Sequence, residues 1–335
     1  GITIGVVFAQ TLGLRNVLGT PDLWSLLIGL AGVPMLLQVF LLTFFCPETP
    51  RYLLLVRGDK EGAIEALRQL RGLGDEAIDE EIKQYHQEAD TAEERMSIWQ
   101  LLKTRHLWMP LFISVVIQVS MAFSGIAILI SYSTNLFVRV GLSVQDAQYA
   151  NIGIGGIQFI MAIVIIYLMD RLGRRTLLLS GMTIMFLFNT VFTIAFSQST
   201  NTEWLVYLGI AALMMVNFGF SVGPGPISWL VVAELFSQGP RPAAMSIAVL
   251  SGWIPTFITG VIFLPLQEAL EDLVLIPFIC ILAVSIAFLF WKLPETKHKT
   301  FDEIAAYFGH TAEPTDHNQI DMESKETVYS EIERF

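Results

Sequence analysis

Seven stretches of this chain are apolar over the length that a bilayer demands, and their repetition limits the fold more than any motif does. They run over 23–45, 107–138, 147–169, 176–196, 205–232, 243–266 and 273–293. A crossing helix needs about 20 predominantly apolar residues. Hydrocarbon offers no water to unpaired backbone groups, so such segments must satisfy their own N–H and C=O groups, as helices do. An all-α membrane protein follows. The first apolar run, from Gly1 to about Leu14, falls short of that length and reads as a cut span. The chain is therefore expected to lack a preceding N-terminal part.

Composition agrees, with 53% hydrophobic and only 15% charged residues. The net charge of −11 gathers in 47–105 and after Lys299, where acids solvate exposed segments. It gives no reason to expect a nucleic-acid partner. Two cysteines, Cys46 and Cys280, lie in or beside apolar runs, and the five histidines have no ligand spacing. No metal site, disulfide framework or cofactor motif is expected. Neither a nucleophile–base pair nor a phosphate loop appears, which disfavours an enzyme.

Loop charge alternates. Arg171, Arg174 and Arg175 fill one short connection and Arg241 another, whereas 198–203 and 267–272 contain no base. By the positive-inside rule the basic connections, the 47–105 segment and the C-terminus are cytoplasmic. That segment is too charged to span. Asp59 can cap a helix with Ala63, Ile64, Leu67 and Leu70 on one face, closing at Gly72 and Gly74, and Ile78, Ile82 and Tyr85 mark a second amphipathic helix. Thr300 and Glu303 form a capping box for a short helix carrying Phe301, Ile304 and Phe308.

Within 217–242 a spanning helix is interrupted by Gly223-Pro224-Gly225-Pro226. Each proline removes a backbone donor and crowds the preceding turn. A break at membrane depth is tolerated where it faces protein or a water-filled cavity, and in secondary transporters such breaks mark the binding site. Trp229, one to two turns on, can offer an aromatic face to a ligand. Charges at helix ends form a second feature: Asp170, Arg171, Arg174, Arg175, Glu234, Arg241, Glu48, Arg51 and Glu295 all fall on the expected cytoplasmic face. Carboxylates and arginines gathered there can pair and act as a latch. The string Pro47-Glu48-Thr49-Pro50-Arg51 is echoed by Pro294-Glu295-Thr296-Lys297, as if two bundles ended alike. The expected domains are 1–46, the last two spans of a first bundle; 47–105, a helical connector; 106–293, a six-span bundle; and 294–335, a tail disordered after about 309.

The strings PETPRYLL at 47–54, DRLGRRTL at 170–177, VGPGPISW at 222–229, VAELFSQGPRPAA at 232–244 and PETKHKTFDEI at 294–304 stand in the order and spacing of a known family. The chain resembles the facilitative hexose (glucose) transporters, sugar porters of the major facilitator superfamily, over nearly its whole length to Phe308. The resemblance implies alternating access by a twelve-span fold in the plasma membrane, with hexose bound between two bundles and neither cofactor nor ion coupling. It implies that Trp229 underlies the sugar, with Phe220 and Trp253 beside it, and that Tyr132, Pro224 and Pro226 gate the site.

Departures from the family fall at the sugar contacts. Where the seventh span of glucose transporters carries two adjacent glutamines and an asparagine, this chain has Met121, Ala122 and Ala127. Gln158 stands for an asparagine, Ser221 for a glutamate, and Gly252 and Thr256 for two asparagines. The remaining hydrogen-bonding set is Gln118, Ser124, Gln158, Ser221 and Thr256. The expected function is hexose uniport; the alternatives are a non-transporting sugar sensor and a carrier of a less polar solute such as urate.

Overall fold

Helices account for nearly all the secondary structure in the computed structural model, which describes residues 2–71, 75–90, 96–126, 137–138, 142–198, 203–270, 273–297, 299 and 301–308. In chain order they are α1 (Ile2–Leu12), α2 (Trp24–Leu30), α3 (Gly32–Phe45), α4 (Pro50–Tyr52), α5 (Lys60–Arg71), α6 (Asp75–Asp90), α7 (Ile98–Lys103), α8 (Trp108–Ala122), α9 (Val144–Leu172), α10 (Arg174–Gln198), α11 (Glu203–Val222), α12 (Pro224–Glu234), α13 (Arg241–Leu270), α14 (Ile276–Lys292) and α15 (Phe301–Tyr307). Among the described residues, six helical stretches are long and apolar enough to cross a membrane, including Trp24–Phe45 and Tyr207–Glu234, each made of two helices in tandem. The expected run 273–293 appears as α14, one of the shorter apolar helices. Residues 127–136, with Ala127 and Tyr132, the cap residue Thr300 and the tail from 309 lie outside the described residues.

The chain divides into two compact units, Gly1–Arg95 with Gln148–Gly155, and Met96–Ala147 with Gly156–Phe335. In the first, α3 ends at Cys46 and a turn of π type over Leu53–Arg57 leads to Gly58, whose φ of 71° needs a residue without Cβ. Asp59 then caps α5, its Oδ1 accepting from the Gly62 amide at 2.8 Å. Ala63, Ala66 and Leu67 of α5 bury against Leu53, Leu54, Ile78 and Ile82, with Ile64 and Tyr85 at the edge. Leu70, expected on this face, is 52% exposed instead, and Ala66 takes the place in the core. The helical period alone would keep 70 on the stripe, two turns from 63; its place next to the last residue of α5, which closes at Arg71, leaves it beyond the packed part of the core. Tyr85 donates to Glu81 at 2.8 Å, and burial first, then this carboxylate, raises its phenol pKa.

The core of the second unit is built from α8 and α10–α14. Ile113 and Ile117 of α8, Leu178, Met182 and Met185 of α10, Val216 of α11 and Ile227 and Val232 of α12 are all essentially without solvent contact. Their outer faces are the reverse of a water-soluble surface: Phe257, Val284 and Trp291 are each more than 70% exposed. Such apolar exteriors require lipid or protein cover.

Small residues let α10 approach α11 and α12 at backbone distance. A Cβ built on Gly181 would stand 2.6 Å from the Gly219 carbonyl oxygen and 2.7 Å from Gly223 Cα. Gly219 and Gly223 form a G-x-x-x-G pair on the facing helix, the spacing that lets membrane helices pack closely. Gly223 is also where the long span breaks, with φ −119° and ψ −91°, and Pro224 opens α12 at a position where no amide donor is needed. The break is short: Gly223 still donates to Gly219 at 3.1 Å, and Ile227 to Gly223 at 3.2 Å.

Candidate solute-binding site

Beyond the break, α12 presents Trp229 to a cavity of about 220 Å³ in the second unit. Gln118, Met121, Ala122 and Ile126 line it from α8 and the residues that follow, and Gly252, Trp253 and Thr256 from α13. The wall is predominantly apolar, with an amide, a hydroxyl and two indoles for polar contact. Gln118 is 1% exposed, and its Nε2 is a buried donor without a hydrogen-bond partner in the structure. Leaving such a group unmatched costs about 1 to 3 kcal/mol, so a site of this kind favours a ligand that brings an acceptor. Gly252 leaves the room that this amide occupies: a Cβ there would lie 3.1 Å from Gln118 Oε1.

The other expected contacts are differently engaged. Ser124, Ser221 and Thr256 donate to carbonyls of their own helical turns, Met121, Asn217 and Gly252, at 2.7, 2.9 and 2.8 Å. Serine and threonine in apolar helices commonly satisfy themselves this way. Gln158 is turned to Asn217, its Nε2 donating to Oδ1 at 2.5 Å. Of the set read from the sequence, Gln118, Trp229, Trp253 and Thr256 line the cavity; Gln158, Ser124, Ser221, Phe220, Pro224 and Pro226 do not. Phe220 instead sets its ring where a side chain at Gly225 would go: a Cβ there would stand 3.1 Å from its Cε1. Asn189, not singled out in the sequence, donates to the Ser124 carbonyl at 3.1 Å and fixes the turn after α8. There Gly125, with φ 81°, turns the chain away three residues past the end of α8.

A second cluster gathers where α9 meets α10. Gly173 joins them with φ 85°, and the Glu295 carboxylate fills the space a side chain would take: a Cβ would stand 2.6 Å from Oε2. The same carboxylate accepts from the amides of Arg174 at 2.8 Å and Arg175 at 3.2 Å, capping the start of α10. An acid at a helix N-terminus matches both the unpaired amides and the macrodipole. Arg174 Nε bonds Glu234 Oε1 at 3.1 Å, with the two side chains 16% and 24% exposed. Glu234 Oε2 accepts from the Thr296 hydroxyl, and Lys297 Nζ reaches the Arg171 carbonyl at 3.2 Å. The guanidinium of Arg171 lies over Tyr167, and that of Arg175 over Phe290 while donating to the Phe290 carbonyl.

Arg241 donates from Nε to the Phe236 carbonyl at 3.2 Å, and thereby closes the turn between α12 and α13. Asp170 is exposed. Glu48 and Arg51 are exposed residues of the first unit. Thr296 and Lys297 were not foreseen as members of this cluster. Their signal is the PET string itself, which brings a hydroxyl and an amine beside the capping acid.

The arrangement of spans matches the major facilitator fold. The chain superposes on the proton:xylose symporter XylE bound to 6-bromo-6-deoxy-D-glucose with TM-score 0.66 and 21% identity, covering 92% of this chain and 64% of that one. Against the inward open conformation of the xylose transporter XylE from E. coli the TM-score is 0.69 at 21% identity, over 91% of this chain and 63% of the other. The sugar (and other) transporter family model matches residues 1–308, and the chain belongs to that family. It is 40% identical to the solute carrier family 2, facilitated glucose transporter member 2 of Gallus gallus over 308 residues, and 39% identical to member 3 of Canis lupus familiaris over 310. Each alignment takes in 92% of this chain but only 57% and 62% of the relative's length.

Proposed function

We propose that this chain belongs to a facilitative carrier that moves a hexose, such as glucose or fructose, across the plasma membrane by alternating access, without ion coupling or a cofactor. The observation that carries the reading is the unpartnered, buried Gln118 amide beside the cavity that Trp229 also lines. A hydroxyl of a sugar supplies the missing acceptor, and the indole supplies a flat apolar platform for the ring face. Family membership and the likeness to glucose transporters support the substrate class. In this reading the C-terminus is cytoplasmic, and the charges around Glu295 form the cytoplasmic latch with Glu48 and Arg51.

Met121, Ala122 and Ile126 in the cavity wall favour a second reading, a less polar solute on the same scaffold. Uptake into proteoliposomes separates the two. Saturable entry of labelled hexose, unchanged when the proton gradient is collapsed, is the expected result. Hexose entry no faster than in protein-free vesicles, with urate entry saturable, would establish the second reading and overturn the first.

A further inference from the structure

Outside the solute cavity lies a groove of about 650 Å³ on the outer side of α8, lined by Leu102, Arg105, Trp108, Met109, Phe112 and, from α13, Ile247. Its lower part is a hydrocarbon-like trough: Met109 is 37% and Phe112 54% exposed. The upper rim is basic. Arg105 lines the groove, Lys103 ends α7 two residues before it and His106 follows it, and no acidic residue occurs from Met96 through Ala122. On the α13 side the first acid after Arg241 is Glu268, far along that helix.

The rim is also held in place. The Trp108 indole donates to the Leu102 carbonyl at 2.7 Å, so its ring is fixed across the mouth of the groove. Ser97 and Gln100 form a complete capping box at the start of α7, and the Met96 amide donates to the Gly239 carbonyl at 3.2 Å. Leu101 anchors α7 from beneath, fully buried, while Ile98, Trp99 and Leu102 project outward, Trp99 at 76% exposure. An amphipathic turn with outward tryptophans and flanking bases is the pattern of a segment that lies at the level of lipid headgroups.

We infer that this groove is a binding site for an anionic phospholipid, one acyl chain lying along Met109, Phe112 and Ile247 and the headgroup between Lys103 and Arg105. Charge complementarity selects the anionic headgroup: a zwitterionic one brings its own cation to a rim where the segment 96–122 supplies bases and no acid. Each base near a membrane surface favours an anionic lipid by about fivefold. Trp108, at the boundary of chain and headgroup, is the reporter.

The test is quenching of tryptophan fluorescence in the reconstituted protein, with brominated phosphatidylserine or brominated phosphatidylcholine in otherwise phosphatidylcholine vesicles. Subtracting the signal of Trp108→Phe isolates the contribution of this site. Phosphatidylserine should occupy it several-fold better than phosphatidylcholine. Lys103→Gln with Arg105→Gln should remove that preference, and Arg105→Lys should keep it, which separates charge from misfolding. Equal quenching by the two lipids, or a preference untouched in the double variant, would overturn the assignment. So would quenching that falls as the protein-to-lipid ratio rises, since that marks a second protein copy in the groove. None of these readouts depends on which solute the protein carries or on which way it faces.

Discussion

Gly181→Ala tests whether the backbone contact between α10 and the broken span holds the second unit together. The added methyl carbon would meet the Gly219 oxygen at 2.6 Å, Gly223 Cα at 2.7 Å and the Gly223 nitrogen at 2.8 Å. Comfortable contact between non-bonded heavy atoms begins near 3.5 Å, so the helices must part by on the order of 1 Å. All three neighbours are backbone, so no side chain can swing aside. Overpacking of this kind costs about 1 to 3 kcal/mol. Alanine returns up to about 1 kcal/mol of helix propensity. The net expectation is destabilisation by up to roughly 2 kcal/mol. Gly260→Ala, in α13 with nothing beyond its own helix backbone within 4 Å of the new carbon, is the matched control and should gain from propensity alone. Thermal unfolding of the purified protein, followed as loss of the monodisperse chromatographic peak, compares the two. Because Gly223 sets the start of α12, hexose uptake should fall in Gly181→Ala as well. If Gly181→Ala proves as stable as Gly260→Ala, the close approach does not bear on folding and the reasoning fails.

Gln118→Leu should weaken hexose binding about tenfold, the worth of one hydrogen bond to a buried amide, with expression unchanged; competition binding reads it. Gly252→Asn should displace the Gln118 amide, whose Oε1 stands 3.1 Å from the new Cβ, and should change the ranking of sugars in competition assays more than the amount of folded protein. Met121→Gln together with Ala122→Gln restores polar groups to the cavity wall, and should raise glucose affinity if the pocket is a thinned sugar site; no gain in the same assay speaks for the less polar solute. Glu234→Gln removes the charge that Arg174 meets at 3.1 Å in a partly exposed pair, and should cost about 1 kcal/mol of thermal stability at low salt, less at high salt.

The apolar runs made the spans legible, because the length a bilayer requires leaves little freedom. Helix ends moved by a few residues, as with 176–196 becoming Arg174–Gln198, since Glu295 caps the helix from a position 121 residues away. No local pattern encodes that. The site was legible in part for the same reason. Trp229 and Gln118 could be placed by the break and by the resemblance, but the bonds that turn the Ser124, Ser221 and Thr256 hydroxyls to their own backbone could not, because a back-bond to the preceding turn leaves no mark in sequence. The Gly219-x-x-x-Gly223 spacing was present to be read, yet its partner Gly181 is fixed only by how α10 and α11 pack.

The charge cluster changes what a latch in this protein has to be. Arg174, Glu234, Glu295 and Thr296 all belong to the second unit, so their mutual bonds persist whichever way two bundles tilt. A contact of that kind stiffens the ends of α9, α10, α12 and α14 against one another; it has no preference between two states of the cleft. A population can be shifted only by an interaction that differs between the states. Under the alternating access proposed above, that role needs charges from outside the second unit, and Glu48 and Arg51, exposed in the first, are the ones we propose. Substituting Glu48 or Arg51 should therefore move the balance between inward-facing and outward-facing forms, read as labelling of a cysteine placed in the cleft. Glu234→Gln should lower stability first and shift that balance less. The opposite order of effects would locate the state-dependent contact inside the second unit and undo the distinction.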